Sequence, residues 1–91
     1  MIKPTVGRVV WYWPSGTGPN TQPLAAVIAC VNSDTIVNLA IFDANGEATR
    51  RTWVRLYQGE GDRPTGGFCE WMPYQIGQAA RIQPIDVGPM G

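Results

Sequence analysis

Eleven glycines and eight prolines, about a fifth of the chain, cut this sequence into short segments rich in β-branched and aromatic residues. Proline cannot donate to a strand ladder or continue a helix, so each Gly/Pro cluster ends an element. No stretch keeps an apolar period of 3.6 residues for the ~10–12 residues that an amphipathic helix needs. Short strands joined by turns are what remains. With 91 residues there is room for one core.

Thr5 to Trp13 alternates, placing Val9, Trp11 and Trp13 on one face and Arg8, Val10 and Tyr12 on the other. Val9 is expected inside. Trp11 and Trp13 either both pack inside or Trp13 emerges beside the loop, and Tyr12 is a candidate surface aromatic. Ser15 to Pro23 reads as a long polar loop. Leu24 to Val31 is nearly all apolar, which predicts a strand buried on both faces. Asn32-Ser33-Asp34 turns the chain into Ile36 to Phe42, and Asn45-Gly46 predicts a hairpin with a type I′ turn. Ala48 to Tyr57 alternates openly, with Thr52, Val54 and Leu56 inward and Arg51, Trp53, Arg55 and Tyr57 outward.

Gln58 to Gly67 is a second polar loop, and Phe68 to Met72 a last short strand before Pro73. The fold class is therefore all-β: a small SH3-like barrel of about five strands in meander order with long polar loops. It forms a single domain over 1–80, Gln75 to Arg81 being able to make a helical turn, followed by a loose tail over 81–91. The expected core is Val9, Val27, Ile28, Leu39, Ile41, Val54, Leu56 and Trp71. A barrel this small buries only ~60–65% of its unfolded surface, so a homo-oligomer, most simply a dimer, is expected.

The chain has no histidine, which removes histidine-based triads, a histidine general base and histidine metal ligands. Two cysteines, Cys30 and Cys69, are too few for a four-thiolate zinc site, and both are expected in the core. A disulfide between them is disfavoured in a reducing cytoplasm. The carboxylates fall mostly in turns, with no pair suited to acid/base work. No enzyme activity, cofactor or metal is expected. The longest apolar run, Leu24 to Val31, is far short of the ~20 residues of a membrane span, and the N-terminus lacks the apolar core of a signal peptide. The expected compartment is the cytoplasm. Seven basic residues balance seven acidic ones, which argues against general nucleic-acid binding.

The most informative pattern is Arg51-Trp53-Arg55-Tyr57. Guanidinium groups bind phosphate through two hydrogen bonds, and an indole stacks on a base for ~1–3 kcal/mol. On this reading Arg51, Trp53, Arg55 and Tyr57 form one anion-and-ring surface, with Arg8 and Tyr12 as neighbours from the first strand. The competing reading is a solvated strand face with arginine lying over tryptophan.

Three stretches carry a resemblance: Pro4-Thr5-Val6-Gly7-Arg8-Val9-Val10, then Val37 to Gly46, then Gly67-Phe68-Cys69-Glu70-Trp71-Met72-Pro73-Tyr74-Gln75. In that order they resemble a family of small tailed-bacteriophage and prophage proteins, over most of the chain up to about Ala80. The resemblance implies a phage protein made in the host bacterial cytoplasm and transfers no activity or site residue. A small neutral phage protein of this kind is expected to sequester a small anionic ligand, such as a host nucleotide signal of antiviral defence, as an oligomer. The alternative is an SH3-like interaction module acting on a host or virion protein.

Overall fold

The structure, a computed structural model, describes residues 1–15 and 21–77. Five strands close a barrel: β1 (Val9–Trp13), β2 (Leu24–Ser33), β3 (Ile36–Phe42), β4 (Ala48–Tyr57) and β5 (Phe68–Glu70). The all-β barrel expected from the sequence is present, and among the described residues helix amounts to one turn over 73–77. β1 to β4 form an antiparallel meander, but β5 runs parallel to β4 and antiparallel to β1. The last step is therefore a crossover through the Gln58 to Gly67 loop, not a hairpin. The expected tail over 81–91 lies outside the described residues, as does the middle of the first loop.

The hairpin falls where Asn45-Gly46 placed it, with a different turn. Only Gly46 takes a positive φ, of 88°, whereas a type I′ turn needs both central residues there. Asp43 explains the change: its Oδ1 accepts the N–H groups of Asn45 at 2.8 Å and Glu47 at 2.9 Å. The Gly46 N–H donates to the Asp43 carbonyl at 2.9 Å. A short carboxylate that caps the turn selects a three-residue loop with glycine in the left-handed position.

The core holds Val10, Tyr12, Ala26, Ile28, Val37, Leu39, Ile41, Val54, Leu56, Cys69 and Trp71. Six of the eight expected core residues are buried, and two are not: Val9 is 40% exposed and Val27 half-buried. The phase of β1 is the reverse of the expected one, with Val10 and Tyr12 inside and Trp11 and Trp13 on the outer face. Alternation alone could not fix the phase because both faces of β1 are apolar.

The outer face carries its own aromatic layer. Trp11 meets Trp13 edge-on at 6.3 Å, and Tyr57 meets Phe68 in the same way at 6.3 Å. Arg63 lies over Trp13 and Phe68, and its Nη2 pairs with Glu70 at 2.7 Å. β2 departs from expectation for a second reason. A two-for-one step between Ile28 and Cys30 turns Val31 inward beside Val37 and leaves Cys30 exposed opposite Asn38. Only its inner face is buried, and Cys30 is not a core residue.

Candidate functional site

β4 decides where the candidate site residues go. Between the pairs Leu39–Arg51 and Val37–Val54, β3 advances two residues while β4 advances three. This is a β-bulge, and it reverses the facing of every residue on its N-terminal side relative to simple alternation. Arg51 and Thr49 lie opposite Leu39 and Ile41, on the core-facing side, while Arg55 lies opposite Ile36 and faces outward. Thr52, expected inside, is exposed. The run Arg51-Trp53-Arg55-Tyr57 is therefore not one face.

Trp53 sits on the bulge at φ 55°, the one described non-glycine residue in the left-handed region, and is 72% exposed. Its N–H donates to Asn38 Oδ1 at 2.9 Å, and Asn32 Nδ2 donates to the same oxygen at 2.9 Å. Tyr57 is structural: its hydroxyl donates to the Gly61 carbonyl at 3.0 Å while its ring packs on Phe68. Arg55 is exposed on the outer face at the level of Phe68. Arg8 places its guanidinium 5.8 Å from the centre of the Trp71 ring.

Two of the six candidates do meet. Past the last β4–β5 pair, Arg55–Phe68, β4 continues toward Ala48 with no strand on its β5 side among the described residues. The gap between this free stretch and the end of β1 is a cleft of about 390 Å3. Leu24 and Ile41 form its apolar base, and Tyr12, Ser15, Thr49 and Arg51 bring three hydroxyl-bearing side chains and one guanidinium to its walls. Tyr12 is only 8% exposed, so it is not the surface aromatic expected; it reaches the cleft from the core. Arg51 has no carboxylate partner among the described residues, where the one ion pair is Arg63–Glu70.

Ser15, Thr49 and the hydrophobic base carried no signal in the sequence. A serine beside Pro14 and a threonine in an alternating strand look like any turn or strand residue. They become neighbours only through barrel closure and the bulge. The Trp13–Glu70–Arg63 cluster, in which Trp13 Nε1 donates to Glu70 Oε2 at 2.7 Å, was equally hidden because Trp13 lies far in sequence from the other two. That hydrogen bond to Glu70, chiefly, raises the Arg63 pKa above its ordinary value.

The Cys69 thiol is pushed up to about 12 by burial, which keeps it protonated and unreactive. No group of three or more acidic or cysteine side chains that could hold a metal occurs among the described residues. In the same residues no helix is long and apolar enough to cross a membrane. No protein-family model, curated protein or solved structure matches the chain.

Proposed function

We propose that this protein is a non-enzymatic binding module that takes a small anionic, ring-bearing ligand, typified by a nucleotide, in the cleft between β1 and β4. The observation that carries the reading is the placement of Arg51, which has no carboxylate partner among the described residues, with the hydroxyl-bearing Tyr12, Thr49 and Ser15 above the apolar Leu24 and Ile41. Small-molecule sites combine an apolar lining with a few placed polar groups and span ~300–1,000 Å3, a range that includes this cleft. Arg51 meets a phosphate through two parallel hydrogen bonds, and the apolar base covers a ring.

The resemblance to phage proteins gives the binding a purpose: sequestration of a host nucleotide signal in the bacterial cytoplasm, as a counter to antiviral defence. Exposed Met1, Val6, Trp53, Tyr74 and Ile76 leave apolar surface that a homo-oligomer would cover. Titration calorimetry of the purified protein against inorganic phosphate and mono-, di- and cyclic nucleotides tests the reading. Uptake of at least one compound, lost in Arg51→Ala, is the expected result. Failure of all of them to bind at millimolar concentration removes the reading, and light scattering that finds only a monomer removes the oligomer.

A further inference from the structure

β4 is half an interior strand and half an edge. Its residues from Arg55 onward pair with β5, whereas among the described residues Ala48 to Arg51 pair only with β3, and residues 48–53 are all exposed. The direction of each backbone group in that stretch follows from the ladder. The Asp43 N–H donates to the Glu47 carbonyl at 2.9 Å, so Asp43–Glu47 is a hydrogen-bonded pair. Alternation in an antiparallel ladder then makes Ile41–Thr49 and Leu39–Arg51 hydrogen-bonded pairs, while Phe42–Ala48 and Ala40–Arg50 are not. Thr49 and Arg51 thus spend their backbone groups on β3. Ala48 and Arg50 point theirs outward, into the open edge.

The Arg50 carbonyl reports the same direction independently. It accepts a hydrogen bond from the side chain of the next residue, Arg51 Nη1, at 3.0 Å. An exposed edge of this length invites another strand, and proteins commonly blunt such edges with charge. Here the charge is of one sign. Arg50 and Arg51 stand opposite Ala40 and Leu39, and neither has a carboxylate partner among the described residues.

That charge selects the occupant. Two copies of this edge paired antiparallel would bring Arg50 and Arg51 of one chain against those of the other, which like-charge repulsion opposes. A strand carrying glutamate or aspartate at adjacent positions instead places one carboxylate on each face, one for Arg50 and one for Arg51. We propose that residues 48–52 of β4 are a docking edge for an extended acidic segment of a partner protein, added as an antiparallel strand. The added strand receives the Arg50 N–H and donates to the Arg50 carbonyl. The Arg51 guanidinium, released from that carbonyl, turns to a carboxylate. This backbone edge borders the cleft of the proposed small ligand, so the two occupants would compete for Arg51.

The probe is a blocked hexapeptide of sequence valine-glutamate-glutamate-valine-glutamate-glutamate, whose adjacent glutamates fall on opposite faces, with the lysine analogue as control, added to the full chain and followed by amide hydrogen exchange. The glutamate peptide is expected to slow exchange at Ala48 and Arg50 at least tenfold, leaving Thr49 and Arg51 little changed. The lysine peptide should have no effect. Replacing both arginines (Arg50→Glu with Arg51→Glu) should reverse that preference, and Arg50→Pro should bind the glutamate peptide more weakly than Arg50→Ala, since only proline also removes the edge N–H. Unchanged exchange at Ala48 and Arg50 with millimolar glutamate peptide overturns the proposal. So does equal protection by the lysine peptide. Protection that grows with protein concentration and no peptide would assign the edge to a second copy instead. Nucleotide uptake is scored separately, so loss of either result leaves the other standing.

Discussion

Asn38 Oδ1 accepts the backbone N–H of Trp53 at 2.9 Å, and the tryptophan it holds sits at φ 55° and is mostly exposed. A left-handed backbone costs a side-chain-bearing residue about 1–2 kcal/mol, and exposed indole recovers little of that by burial. The bulge therefore persists through its surroundings and not through the preference of its own residue.

Trp53→Gly is accordingly expected to raise stability, by ~0.5–1 kcal/mol after the extra entropy of glycine is counted. Asn38→Ala should lower it by ~1 kcal/mol, because the Trp53 N–H loses its acceptor. Urea melts of both variants check the pair. A Trp53→Gly protein less stable than the parent would mean that the ring makes contacts that exposure does not reveal.

The core of the barrel makes a sharper test of phase. Leu56→Ala should cost ~2–5 kcal/mol, whereas Val9→Ala, on the outer face of β1, should cost less than ~1 kcal/mol. Comparable losses at the two positions in denaturant melts would restore the phase read from the sequence.

What the sequence made legible was the part that depends on local pattern. Gly/Pro punctuation located the strands, and Val54, Leu56, Leu39 and Ile41 showed their inward facing through alternation. The misplacements in β2 and β4 of Cys30, Arg51 and Thr52 share one physical origin, which is that side-chain period is 2 and one extra residue inverts it. The bulge near Trp53 separated Arg51 from Arg55, and the step at Ala29 exposed Cys30. β1 differed: its apolar residues on both faces, one against the core and one in the Trp13–Phe68 layer, left its phase undetermined. The cleft was illegible because it forms where β5 stops short of β4's first half, a length relation between strands distant in sequence.

The two cysteines should behave oppositely. Cys30 is exposed and Cys69 buried, so a thiol reagent under native conditions should label one thiol per chain, and two after denaturation. Burial raises the Cys69 thiol from 9.0 to about 12, so between those values the unfolded chain releases a proton that the folded chain keeps. The unfolded state then binds fewer protons, and stability falls as pH rises, by about 1.4 kcal/mol per pH unit from this group. Cys69→Ala should show a shallower alkaline decline in urea melts taken across that window. Identical slopes would mean that the thiol is accessible in the folded protein.

The division of the arginines by the bulge is open to direct measurement. If a nucleotide binds in the cleft, Arg51→Ala removes the guanidinium that faces Tyr12 and Thr49, and affinity should fall at least tenfold. Arg55→Ala, on the outer face opposite Ile36, should change it less than twofold. Tyr12→Phe keeps the core ring and deletes only the hydroxyl, so it should weaken binding without unfolding the barrel. Raising salt should erode the parent's affinity through screening of the phosphate contact, and the Arg51→Ala protein should have lost much of that dependence. Calorimetric titrations of the three variants at two salt concentrations decide the matter. Equal losses for Arg51→Ala and Arg55→Ala would place the ligand across both faces of β4, which the bulge forbids for any small molecule confined to the cleft.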